Sequence, residues 1–139
     1  MSEGFVADSS VGVAWAVHSQ ASEATDQLLE KVAIGAPLVV PALWPLEVAN
    51  SLLVLFRRKR ILAAERDRAL DALARLPVLV DDEGCRLALG RTSKLAAKHG
   101  LSVYDAAYLE LALRRKLPLA SRDDALCQAA KDCRVKLLL

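Results

Sequence analysis

Short apolar runs alternate with helical patterns along the whole chain, and few folds accommodate that order other than a parallel sheet covered by helices. Strands are expected over Gly4 to Asp8, Pro37 to Val40, Pro77 to Val80, Leu117 to Ala120 and Val135 to Leu138. Ser10 opens a helix in which Val11, Ala14, Trp15 and His18 recur at helical spacing, and a second helix runs from Ser22 to Ala33. A third starts near Leu43, after Pro41. Two more cover Ala63 to Arg75 and Glu83 to His99, the latter stopped by Gly100 as a left-handed cap. Ser102 caps a helix running to Lys116, and Ser121 caps a last one to Asp132. With 139 residues, 54% of them hydrophobic, residues 1–139 form one domain that can bury a core without disulfides.

The charge balance narrows the function. Nineteen Lys and Arg against 17 Asp and Glu leave +2, which excludes a wholesale electrostatic binder of nucleic acid, so any such contact is local. Cys85, Cys127 and Cys133 include no CxxC pair and read as reduced thiols. The first residues carry no basic, apolar leader pattern, and the greasy stretch from Leu43 to Phe56 is interrupted by Glu47 and Asn50, so neither a signal peptide nor a membrane span is expected. The expected location is the cytoplasm.

The carboxylates carry the chemistry. Asp8, Glu47, Asp105 and Asp123 each fall where an apolar segment meets a helix, and such junctions can converge at one edge of an α/β domain. Each also has an ordinary structural explanation. Asp8 can cap the following helix, although Ser9 and Ser10 can supply that cap and leave Asp8 free. Glu47 can be a solvated charge favoured by the helix dipole, while Asn50, one turn on, can orient such a carboxylate or reach a substrate. Asp105 completes a possible capping box, Ser102-x-x-Asp105, yet it aligns with Tyr108, Leu109 and Ala112, opposite the wet side that Glu110 and Arg114 define. A carboxylate on a buried face is costly unless paired or bound to a cation. Ser121-x-x-Asp124 reads as another capping box, which gives Asp124 the structural role and leaves Asp123 for the sheet edge.

Other polar residues have plainer readings. The basic runs Arg57 to Arg60 and Arg114 to Lys116 end helices, where the dipole favours positive charge, although they can also flank an RNA groove. His18 and His99 read as helix-end side chains without a dyad partner, and Asp81 and Asp82 as a turn and helix start. The helix from Leu43 to Phe56 is apolar over most of its circumference, so it is expected to pack on both the core and a partner chain.

Taken in order, Val6-Ala7-Asp8-Ser9-Ser10, Leu46-Glu47-Val48-Ala49-Asn50, Ser102-Val103-Tyr104-Asp105-Ala106-Ala107-Tyr108 and Leu119-Ala120-Ser121-Arg122-Asp123 resemble a PIN domain, and among PIN domains the VapC-type toxin ribonucleases of toxin–antitoxin systems. The resemblance implies a three-layer α/β/α fold with a mostly parallel sheet of four or five strands. It implies an acidic quartet of Asp8, Glu47, Asp105 and Asp123 binding Mg²⁺ or Mn²⁺, with Ser10 and Ser121 as supporting hydroxyls. It also implies homodimerisation, an RNA substrate and a cognate antitoxin. Hard divalent cations suit such oxygen donors and can activate a water for attack on a phosphodiester. Two alternatives belong to other classes: a catalytically silent interaction module in which the acids merely cap helices, and a phosphoacceptor receiver domain, for which Asp8-Ser9-Ser10 offers one acid where two are needed.

Overall fold

The computed structural model describes residues 3–139. At its centre β1 (Phe5–Ala7) lies between β2 (Leu38–Pro41) and β4 (Leu119–Ala120), with β3 (Val78–Asp81) outside β2, and every pairing is parallel. The two central strands are buried along their length, which is why they read as unbroken apolar runs rather than alternating ones. β3 is an edge strand and leaves Leu79 and Val80 exposed.

The helices are α1 (Ser9–Ala16), α2 (Glu23–Ala33), α3 (Trp44–Arg57), α4 (Ala63–Ala74), α5 (Gly84–Leu87), α6 (Ser93–His99), α7 (Val103–Arg115) and α8 (Asp124–Asp132). α7 lies across β1 and β2 with α6 and α8 beside it, while α1, α3 and α4 pack on one another, giving the expected α/β/α layers. α1 and α3 approach closely at Gly12, where a Cβ would stand 2.8 Å from Trp44 and 3.0 Å from Val48. A side chain there would push the two helices apart.

Several boundaries shift for physical reasons. α1 ends at Ala16, and His18 starts a 3₁₀ turn, His18–Gln20, rather than finishing the helix. Glu83 to His99 is not one regular helix: a π-helical turn, Ala88–Thr92, joins α5 to α6, and Gly100 stops the segment in the left-handed region as expected. β4 is two residues long, because the Leu117 amide still bonds to Ala112 in the turn that ends α7 and Pro118 has no amide hydrogen. The fifth strand expected at Val135 to Leu138 is accordingly a single parallel bridge, Leu119 to Leu137.

The side of α7 expected to be wet is instead an ionic core. Glu110 is 1% exposed, and Arg114 Nε donates to it at 2.9 Å while the Nη atoms of the same guanidinium grip Asp81 at 2.9 and 2.7 Å. Arg115 adds a bond to Asp81, and Arg91 of the π-helical turn pairs with Glu110. The helical wheel misled because these charges at i and i+4 neutralise one another under the cover of the α5 to α6 segment, where isolated they would have to face water. Asp81 likewise does more than start a turn: it accepts from the Gly84 amide and is 2% exposed.

The Arg114 guanidinium holds the Asp81 carboxyl at about 2, well below the usual carboxylate range. With its folded value depressed, Asp81 contributes stability above its unfolded value, near pH 4, and loses it as pH falls toward about 2; the shift corresponds to roughly 2 kcal/mol. Asp81→Asn should therefore unfold at lower urea than the native chain at pH 5, with the gap closing toward pH 2. Equal urea midpoints at pH 5 would contradict this account.

Candidate active site

Because the sheet is all parallel, the helices that follow β1, β2 and β4 start at its carboxyl edge, as does α7, which leads into β4, and the acids ride on those four starts. Asp8 is the N-cap of α1 and Asp123 the N-cap of α8, while Glu47 and Asp105 lie in the first turns of α3 and α7. Four helix N-termini thus place partial positive charge beside four carboxylates, which offsets some of their mutual repulsion.

Asp8 is held most firmly. Ser10 Oγ donates to its Oδ1 at 2.6 Å, the Val11 amide to the same oxygen at 3.3 Å, and Ser121 Oγ to its Oδ2. The direction of both hydroxyl bonds is fixed from behind. Ser10 Oγ accepts from the Arg122 amide at 3.2 Å and Ser121 Oγ from the Asp123 amide at 3.0 Å, so each hydroxyl turns its single hydrogen toward Asp8. Two consecutive amides on the turn after β4 thereby present two donors to one carboxylate. Asp8 is 5% exposed, and its carbonyl also accepts from the Trp44 indole at 3.3 Å, which ties the start of α3 to the end of β1.

Glu47 is oriented by Tyr108, whose hydroxyl donates to Oε1 at 2.6 Å. Burial and the hydrogen bond to Glu47 keep the Tyr108 phenol protonated, its pKa pushed far above the ordinary value. Sequence reasoning assigned Tyr108 no task at the site. The available signal was its place beside Asp105 on one stripe of α7, since a buried tyrosine hydroxyl needs a partner.

Electrostatics show that the four acids share one region. Burial is the main cause that raises Asp8, Glu47 and Asp105 above their ordinary values, and neighbouring carboxylates raise them further. Asp8 feels Asp123, Glu47 feels Asp105 and Asp8, and Asp105 feels Asp123 and Asp8. The hydroxyl and amide bonds pull Asp8 the other way without overcoming its burial.

Two capping assignments change. Asp8 itself caps α1, because Ser10 is committed to Asp8 and Ser9 already lies inside the helix. Asp123, not Ser121, caps α8: its Oδ1 accepts from Leu126 at 2.8 Å, while Ser121 stays one step back and serves Asp8. Ser102 does cap α7, through the Asp105 amide at 3.0 Å. Asn50 is exposed and contributes to none of the shifts that mark the cluster, and Asp124 is exposed in the first turn of α8. His99 has a partner after all, Cys133 Sγ at 3.4 Å, but that pair is not among the groups that shape the acidic cluster.

Among the described residues no three Asp, Glu, His or Cys side chains are spaced to enclose an ion by themselves. The donors nevertheless fit a hard divalent cation: they are all oxygens, and in three of them neighbouring carboxylates add to the burial that disfavours the charged form. Mg²⁺ suits such a place because it keeps several waters and uses one or two carboxylates directly.

A raised carboxylate has a testable sign in the metal-free protein. Its protonated form is favoured by folding, so the stability it contributes is full below its unfolded pKa, near 4, and is lost as pH rises through the higher folded value. Asp105→Asn should therefore raise the melting temperature of the metal-free chain at pH 7 and leave it almost unchanged at pH 3. Thermal scans in EDTA at both pH values check this, and a variant that melts lower at pH 7 would refute it.

A family model described as the PIN domain matches residues 5–132. A similar solved structure is the crystal structure of PAE2754 from Pyrobaculum aerophilum, 24% identical, with a TM-score of 0.69 over 97% of this chain and 83% of that one. Another is that of FitAcB from Neisseria gonorrhoeae, 17% identical, with a TM-score of 0.63 over 96% of this chain and 95% of that one. No curated protein sequence matches the chain. At these identities the structural likeness speaks for the fold, and the family model, which spans all four acidic positions, speaks for descent: the chain belongs to the PIN domain family.

Proposed function

We propose that this protein is a metal-dependent endoribonuclease, the VapC-type toxin of a toxin–antitoxin pair, with Asp8, Glu47, Asp105 and Asp123 as its catalytic and metal-holding acids. PIN domains are generally nucleases and typically use divalent metal ions. The observation that carries the reading to these residues is the doubly donated Asp8 carboxylate, surrounded by three further acids whose charges it feels or imposes.

Asp8 would be the anchor, since Ser10 and Ser121 fix both of its oxygens in direction. Glu47, steadied by Tyr108, and Asp105, at the mouth of α7, would hold the ion from the opposite helices, and Asp123 would complete the set with Oδ2 while Oδ1 caps α8. When bound, Mg²⁺ or Mn²⁺ supplies an activated water and a counter-charge for the phosphodiester under attack. The helix N-termini that carry the acids add fixed positive potential where a phosphate would enter. Asn50, exposed one turn beyond Glu47, is in reach of a substrate rather than of the buried acid.

The silent-module reading keeps one observation in its favour, that Asp8 and Asp123 do cap helices. The receiver reading also needs an accessible acceptor aspartate after the third strand, and Asp81, at the end of β3, is instead buried in the grip of the Arg114 guanidinium. Cleavage settles between nuclease and silent module. Purified protein should cut single-stranded RNA with Mg²⁺ or Mn²⁺, stop in EDTA, and lose activity by about a thousandfold or more in Asp8→Asn or Asp105→Asn, since a metal-activated nucleophile is worth many kcal/mol. Millimolar Mn²⁺ should also raise the melting temperature of the native chain. Cleavage that survives EDTA, or full activity in Asp105→Asn, would overturn the assignment.

A homodimer and an antitoxin complex are part of the same proposal, as is a cytoplasmic location. Among the described residues no helix is long and apolar enough to cross a membrane. α3 leaves Leu46 74% and Phe56 38% exposed, while Leu52 is wholly core. Leu46→Glu is thus the probe that spares the core, and it should weaken self-association or antitoxin binding without lowering the melting temperature. Sedimentation unchanged from the native chain, with unchanged antitoxin affinity, would remove Leu46 from either interface.

A further inference from the structure

Arg122 separates the two residues that serve and join the acidic cluster, Ser121 and Asp123, and it is exposed. Its guanidinium is bonded to the chain at the surface. Nη1 donates to the Gln20 carbonyl at 2.6 Å and Nη2 to the Ser10 carbonyl at 3.2 Å, so one side chain ties the turn after β4 to the first turn of α1 and to the 3₁₀ turn behind it. Its backbone amide donates to Ser10 Oγ, the bond that turns the Ser10 hydrogen toward Asp8. Ser10 is therefore gripped at both its carbonyl and its hydroxyl by a single residue more than a hundred positions away.

We infer that Arg122 is a positioning residue of this site: by clamping Ser10 through its side chain and its amide, it fixes the hydroxyl that orients the Asp8 carboxylate toward a divalent cation. The inference rests on the metal-dependent reading above. A planar guanidinium can serve two carbonyls at once, whereas a lysine ammonium would reach them singly from a flexible stem. Without the side-chain clamp, the Ser10 turn and the 3₁₀ turn lose their tie to β4–α8, and the amide that orients the Ser10 hydroxyl is no longer held in register with it. Groups that orient a ligand from behind typically change metal affinity or activity by about 10- to 100-fold when removed.

The test compares the native chain with Arg122→Ala and Arg122→Lys in three measurements: calorimetric titration with Mn²⁺ alone, kcat and KM on single-stranded RNA, and melting in EDTA. Arg122→Ala should weaken Mn²⁺ binding by about tenfold and lower kcat by a similar factor with KM nearly unchanged, and Arg122→Lys should recover part of both losses. Melting in EDTA should change little, because the two carbonyl bonds lie at the surface. Mn²⁺ affinity and kcat within about twofold of native in both variants would overturn the inference. A rise in KM alone, at native Mn²⁺ affinity, would also overturn it and make Arg122 an RNA contact. Should Arg122→Ala fail to fold, native Mn²⁺ affinity and kcat in Arg122→Lys would overturn it by themselves. A native chain that neither binds Mn²⁺ nor cuts RNA would instead bring down the nuclease reading, an outcome visible before any variant is compared.

Discussion

One carboxylate organises the edge of this domain. Asp8 caps α1, receives a hydroxyl on each oxygen, and offers its carbonyl to Trp44, so β1, β4, α1 and α3 all meet at a single residue. Burying an acid to 5% exposure is costly, and three donors recover part of that cost because bonds to an ionised group are the strong ones. They do not recover all of it, since Asp8 still sits above its ordinary value with Asp123 adding to the strain. A fold that keeps such a residue at the meeting point of four elements gives up stability locally, a pattern common where a site must be ready for a ligand.

The contrast with Asp81 makes the point sharper. Asp8 directly follows β1 and Asp81 ends β3, and both are nearly inaccessible, yet one is raised and the other is held at about 2. The difference is the partner. Asp81 faces the Arg114 guanidinium in a two-pronged grip, whereas Asp8 faces hydroxyls, an amide and other acids. The first is a completed ion pair that stiffens the join between β3 and α7. The second is held by hydroxyls and an amide with no cation among the groups that shift it, so its burial is only partly compensated.

Much of this was legible from residues alone, and the failures share a cause. The alternation of apolar runs and helical patterns located every strand and the helices that carry the acids, because burial on both faces of a parallel sheet imposes that pattern on sequence. What sequence could not reach was pairing at long range. Glu110 and Arg114 looked wet because their partners, Asp81 and Arg91, are distant in sequence, and Tyr108 had no visible task because Glu47 lies on another helix. The fifth strand shrank to a bridge because β4 starts late: the Leu117 amide is still bonded to Ala112 in the turn that ends α7 and Pro118 has no amide hydrogen.

The capping residues show that a cap and a ligand need not exclude one another. A cap and a ligand were weighed as rivals, yet a carboxylate has two oxygens and several lone pairs, and an N-cap uses only one direction. Asp123 gives Oδ1 to the Leu126 amide and keeps Oδ2, and Asp8 caps α1 through Oδ1 while Oδ2 takes Ser121. Capping also does something for a site that a free side chain cannot. It locks the carboxylate to the first turn of a helix whose dipole favours negative charge there, so the acid is both oriented and partly stabilised. In a sheet whose strands all run one way, that makes the helix start the economical place to build an acidic cluster, since the residue that caps the helix keeps acceptor capacity for a further partner.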